Sequence, residues 1–190
     1  MARPLAVAIT GGIGAGKSAA LEAFARRGIP TRSSDEIVHR LLREDEEVRA
    51  AVDERFGPGV ADDRSTLAAL VFRDPDELAW LEALLHPRVV REYGAWREEL
   101  GRGSDPPRVV AIEVPLLYET GGETRFDRVV AITAPYEVRA ARARVAPDGR
   151  ERRLLSDEEK VRRADFAYVN DGSVEELDAF VGSVVERLLA

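Results

Sequence analysis

Residues 11–18 read Gly-Gly-Ile-Gly-Ala-Gly-Lys-Ser, the spacing G-x-x-x-x-G-K-S. These residue types in this order suit one task, holding the phosphates of a nucleotide. Successive backbone N–H groups turn inward onto phosphate oxygens, the lysine reaches the β and γ positions, and the last hydroxyl serves Mg²⁺. Glycines are needed because a Cβ would stop the backbone from curling so tightly around an anion. The candidate ATP-binding set is therefore Gly11, Gly12, Ile13, Gly14, Ala15, Gly16, Lys17, Ser18 and Ala19, with Lys17 catalytic and Ser18 the metal ligand. The plainer alternative is a flexible glycine-rich turn. Its setting favours the phosphate site: Leu5–Thr10 reads as a strand before it, and Ser18 to Arg27 as a helix after it, with Gly28 as the stop. A bound anion would then also meet a helix N-terminus.

Lysine usage points the same way. Lysine and arginine together number 28, yet the lysines are Lys17 and Lys160 alone, leaving 26 arginines. A lysine kept in the loop of so arginine-rich a chain suggests a need for a slender ammonium that a planar guanidinium does not meet.

Other residues carry chemistry only in context. Asp35 lies just past a second strand, where ligands bind at the C-terminal edge of open α/β sheets. It is placed either to take a proton from a substrate hydroxyl or to cap a helix. Glu113 ends a buried strand and could orient the water shell of a metal, as acidic strand ends do in P-loop enzymes. Glu119 follows Pro115-Leu116-Leu117-Tyr118 and reads alone as an ordinary polar terminus. His86, at a helix junction before Pro87, could touch an acceptor or simply pack. Arg139, Arg142 and Arg144 precede Ala146-Pro-Asp-Gly149. They read as a lid over ATP offsetting phosphoryl charge or as a solvated helix face.

The elements that must position these residues alternate. After the first strand, loop and helix, 28–32 reads as strand 2, 35–43 and 46–56 as helices, and 65–100 as helical throughout. Asp74-Pro75 is a helix start, and Pro87 is a restart. Near-continuous apolar runs at 108–114 and 128–133 have the character of parallel strands covered on both faces. Helices follow at 135–144 and from Ser156, then a short strand at 166–170. Ser173-Val-Glu-Glu176 is a capping box opening a helix to Leu189. The pattern implies an α/β fold with a parallel sheet and right-handed crossovers.

Composition bounds the rest. With 190 residues, 45% apolar and 33% charged, the chain fits one compact soluble domain. A net charge of −7 without a basic arm argues against nucleic-acid binding. The absence of cysteine removes disulfides and thiol chemistry, and two histidines make a multi-histidine metal site untenable. Neither a membrane-length apolar run nor a signal peptide is evident, so a cytoplasmic protein is expected.

Taken together, these segments resemble the dephospho-coenzyme A kinases, P-loop proteins of the nucleoside-monophosphate-kinase-like group. The resemblance runs nearly end to end. It rests on Ile9-Thr-Gly-Gly-Ile-Gly-Ala-Gly-Lys-Ser18, Gly28-Ile-Pro30 with Asp35-Glu-Ile37, Leu85-His-Pro87, Val114-Pro-Leu-Leu-Tyr-Glu119, Lys160-Val-Arg-Arg-Ala-Asp165 and Asn170-Asp-Gly-Ser173. It implies transfer of the ATP γ-phosphate to the ribose 3′-hydroxyl of dephospho-coenzyme A. The implied fold is a three-layer α/β/α core over about 1–59 and 102–190, with a helical acceptor-binding subdomain near 60–101 and a short lid near 140–160. By the same resemblance Asp35 is the general base, and Arg142, Asn170 and Gly172 join the ATP side. Asp35, His86, Arg88, Pro115, Leu116 and Glu119 meet the acceptor. ATP and Mg²⁺ are the implied ligands, with no nucleic acid or membrane partner, in a monomer or weak homo-oligomer. Four departures stand out: Ser33-Ser34-Asp35 where the family shows Asp-x-Asp, Ala19 where threonine is common, Leu154 in place of a glutamine, and a shortened lid. They motivate two rivals, a kinase of another small acceptor such as a nucleoside monophosphate or sugar acid, and a weakly catalytic ATP-binding regulatory protein.

Overall fold

Alternating apolar and helical segments settle into an all-parallel sheet because each strand must be covered on both faces before its backbone can leave water. A computed structural model describes residues 3–142 and 155–190. The strands are β1 (Leu5–Thr10), β2 (Thr31–Ser33), β3 (Val109–Glu113), β4 (Arg128–Thr133) and β5 (Phe166–Val169), ordered β2-β3-β1-β4-β5. The helices are α1 (Lys17–Arg26), α2 (Ser34–Glu44), α3 (Glu46–Phe56), α4 (Arg64–Val71), α5 (Pro75–Arg102), α6 (Tyr136–Arg142), α7 (Asp157–Arg163) and α8 (Val174–Leu189). Two compact units result. One takes the chain up to Ser33 and from Arg97 onward; the other is Ser34–Trp96, a larger helical piece than the 60–101 span expected from sequence. Most of the expected lid, including Arg144 and Leu154, lies outside the described residues.

Within the sheet unit, register brings the working ends of the strands together. Ile9 and Ser33 both pair with Glu113, and Thr10 pairs with Ala131. Successive strand residues face opposite sides. Val7, Ile9, Val109, Ala111, Val130 and Ile132 form one core with Phe24 of α1 and Leu177, Val181 and Val184 of α8. On the other face Ala8 and Val129 pack with Leu117 and Tyr118. Helices α1 and α8 are also clamped at their ends: Arg27 meets Asp178 through Nη2 at 2.5 Å and Nη1 at 2.9 Å. Hydrogen bonds from Arg27, then Arg26, hold the Asp178 carboxyl far below the usual range.

Two expectations are corrected. The second strand starts at Thr31 rather than Gly28. Gly28 adopts φ 76 to leave α1, and Pro30 has no N–H, although its carbonyl accepts from Ala111 N at 3.0 Å. Nor does Pro87 restart a helix; α5 runs through it unbroken. Leu81, Leu85, Val89 and Tyr93 are all buried at a four-residue spacing, so one apolar stripe continues past the proline. Its missing N–H removes one hydrogen bond, and beside it the Arg88 guanidinium donates to Leu84 O at 2.9 Å.

Phe24 is fully buried between sheet and α8. Phe24→Ala should lower unfolding free energy by about 3–5 kcal/mol, read from urea denaturation with an unchanged m-value.

Candidate active site

The phosphate loop is shaped by glycine. Gly11, Gly14 and Gly16 take φ of 148°, 74° and 103°, conformations L side chains rarely adopt. Each is also crowded. A Cβ on Gly11 would overlap the Ile132 carbonyl oxygen, one on Gly14 would sit 2.9 Å from Arg139 O, and one on Gly16 would overlap the Asn170 carboxamide. Gly16 caps α1 without a side chain, leaving the first-turn N–H groups facing the loop. Lys17 is buried and folds back across the loop, its Nζ donating to Gly12 O at 3.0 Å. The Ser18 hydroxyl is exposed and donates to Glu113 Oε2 at 3.4 Å, joining α1 to the end of β3. Ile13 is exposed at the tip, whereas Ala15 is buried and Ala19 packs against the core.

The surrounding residues divide by what they touch. Asn170, buried just beyond β5, donates from Nδ2 to Ala15 O at 2.8 Å and so braces the loop from behind. Arg142 lies on backbone, Nη1 donating to Asn170 O at 3.0 Å and Nη2 to Gly172 O at 3.5 Å. Arg139 is the arginine beside the loop. It donates from Nε to Ala134 O at 3.0 Å, and its Nη1 lies 3.2 Å from where a Gly12 Cβ would stand. Asp157 Oδ1 lies 3.5 Å from that same point.

The segment after β3 faces inward more than the sequence suggests. Pro115 O accepts from the Thr10 hydroxyl at 3.3 Å, and Leu116 O accepts from Thr120. Glu119 is engaged internally: Oε1 accepts from Leu155 N at 2.9 Å and pairs with Lys160 Nζ at 3.0 Å. Lys160 is wholly buried. Burial also pushes the Tyr118 phenol up to about 12, with the Arg163 guanidinium 4.3 Å over its ring opposing that rise. Lys160 and Asp157 are the residues that sequence reasoning passed over. The rarity that singled out Lys17 marks Lys160 equally, because the only lysines of the chain are both buried.

In the helical unit, Asp35 stands in the first turn of α2, two residues along the chain from Ser33. It is not the cap, since Ser34 already opens the helix. Its carboxylate is exposed and accepts no hydrogen bond among the described residues. His86 is half-buried on α5, and burial holds its pKa below the usual histidine value. Arg88 reaches Glu47 of α3 at 3.1 Å as well as Leu84 O. Among the described residues no three His, Cys, Asp or Glu side chains gather as a metal cage. A hydroxyl with one nearby carboxylate remains, the sparse oxygen set on which Mg²⁺ is held together with substrate phosphates.

A parallel sheet with a glycine loop, lysine and serine at its central strand end defines a P-loop phosphotransferase. Solved structures agree. One from Thermus thermophilus matches with a TM-score of 0.79 at 35% identity, covering 98% of this chain and 99% of that one. Dephospho-CoA kinase from Campylobacter jejuni gives 0.66 at 22% identity, with 98% of both chains covered, and so speaks for the fold. The sequence profile of the dephospho-CoA kinase family matches residues 5–176. A curated dephospho-CoA kinase of Mesorhizobium japonicum is 38% identical over 97% of this chain and 96% of its own. The chain belongs to the dephospho-CoA kinase family.

Removing the brace behind the loop tests this geometry. Asn170→Ala strands a buried carbonyl, with a loss of about 1–3 kcal/mol. ATP affinity should fall along with it, as titration calorimetry would show.

Proposed function

We infer that this chain transfers the γ-phosphate of ATP to the ribose 3′-hydroxyl of dephospho-coenzyme A, giving coenzyme A. The observation that carries the reading is the intact phosphate loop, Gly11–Ser18, with its lysine and serine in place, in a chain matched to one family from residue 5 to 176. ATP is the donor. Loop N–H groups and the α1 N-terminus hold its phosphates, and Lys17 swings from the Gly12 carbonyl to the β/γ oxygens. Arg139, beside Gly12, offsets charge on the transferring group. Arg142, Asn170 and Gly172 form the nucleotide-side loop, with Asn170 acting by bracing Ala15.

Ser18, with Glu113 beside it, would hold Mg²⁺, and the ion would supply positive charge to offset that on the transferring phosphoryl group. Asp35 accepts the proton of the attacking hydroxyl; its exposed carboxylate suits that role. His86 and Arg88, with the Pro115–Leu116 segment, are the acceptor contacts in this reading. Positioning the two substrates in line provides most of the acceleration that proton transfer alone would not.

The test is ADP release with dephospho-coenzyme A set against AMP, CMP and gluconate. Dephospho-coenzyme A should stimulate release and the others should not; release driven by AMP, CMP or gluconate, or by no acceptor, overturns the assignment. Asp35→Asn should lower kcat by about 10²–10⁴-fold and leave ATP affinity unchanged. A variant retaining full turnover removes Asp35 from the proton transfer.

A further inference from the structure

A fully buried lysine in an arginine-rich chain calls for an explanation that surface solvation does not give. Lys160 is 0% exposed, and its ammonium meets Glu119 Oε1 at 3.0 Å. The same oxygen accepts the N–H of Leu155 at 2.9 Å. Removing two charges from water is unfavourable by several kcal/mol per ion, and their attraction recovers it only with good geometry. Apolar residues would serve stability as well or better. Retaining a charged pair here points to a task of placement.

What the pair places is the first turn of α7. Leu155 and Lys160 bracket Ser156 and Asp157, and Ser156 Oγ accepts from Glu159 N to start the helix. Asp157 then reaches the phosphate loop, where its Oδ1 and Arg139 Nη1 flank Gly12 within 3.5 Å of one point. Glu119 itself hangs from the segment following β3, the strand whose last residue, Glu113, meets Ser18. One carboxylate thus ties the strand end behind the serine to the helix turn beside Gly12. Lysine suits the pocket where arginine would not: a slim ammonium directs charge to one oxygen, whereas a planar fork needs room for five donors.

We propose that Glu119 and Lys160 are positioning residues for nucleotide binding, setting the α7 turn so that Asp157 holds Arg139 against the phosphates of ATP. This rests on the kinase reading and adds to it two residues that need never touch the nucleotide. It also moves Glu119 from the acceptor side to the donor side of the reaction.

The decisive measurement is ATP affinity by calorimetry across a cycle of Glu119→Gln, Arg139→Gln and their double variant. KM for dephospho-coenzyme A and melting temperature are followed in parallel. Glu119→Gln should weaken ATP binding about tenfold, the size of one charge-assisted contact, with KM for the acceptor unchanged. Arg139→Gln should do the same, and the double variant should be no worse than either single one. Lys160→Arg, which keeps the charge, should also weaken ATP binding. Unaltered ATP affinity alongside a lower melting temperature overturns the proposal, as does a double variant whose losses multiply. Should Glu119→Gln not fold, the paired replacement Glu119→Leu/Lys160→Met leaves no lone buried charge and takes its place in the cycle. If the unsubstituted chain binds no ATP, the kinase reading fails and this proposal with it. If it binds and the variants match it, only this proposal fails.

Discussion

Close approach of backbone to backbone behind the phosphate loop is the constraint on which the rest of the sheet unit depends. Gly11 passes so near the Ile132 carbonyl that no side chain fits between β1 and β4, and Gly16 lies directly against Asn170. Within the loop Ala15 N donates to Gly12 O at 3.3 Å, and a loop that offers its other N–H groups forward to an anion must be supported from the rear. The support comes from three separate stretches of chain, at 132, 139 and 170. The parallel sheet is what brings them to one edge. Burial of Val7, Ile9, Val130 and Ile132 fixes the strands, and the fixed strands hold the loop.

Much of this was legible beforehand because it is local. Glycine spacing, apolar runs and capping residues act over a few positions, so β1, α3, β4 and α8 fall where periodicity and caps put them. Departures arise where distant partners decide. Pro87 reads as a break, yet the stripe through Leu85 and Val89 carries α5 past it. Asp35 reads equally as cap or base, and the structure places it inside the first turn of α2, one residue past the start at Ser34. For the candidate site, the loop residues were visible and their supports were not. Asn170 reads from sequence as a nucleotide contact; that its carboxamide also braces the loop at Ala15 O emerges only when tertiary structure brings residue 170 to residue 15.

Charge placement divides by residue type, with the buried Arg97 as an exception. Arginines take the exposed and half-exposed pairs, such as Arg26 and Arg27 with Asp178 and Arg163 with Glu123. The two lysines take the buried posts. An isolated surface pair contributes little in solvent, so the arginine pairs serve mainly to clamp elements already packed. The buried lysines are tied to specific oxygens at short range, where geometry is determining.

The division of the chain also orders its birth. Strand β1 is synthesised before its neighbours in the sheet, β3 and β4, whose partners for Leu5 and Val7 are Val109 and Arg128. Everything from Ser34 to Trp96 emerges in between, as a contiguous unit with its own internal contacts. On the ribosome the nucleotide loop therefore waits, unsupported, while the helical insert is made. The sheet closes only when late strands return, the kind of distant pairing that slows folding and leaves apolar strands exposed meanwhile. Arg97, buried where α5 re-enters the sheet unit, donates from Nε to Pro4 O at 2.7 Å and pairs with Asp127. It ties the returning chain to the segment that leads into β1.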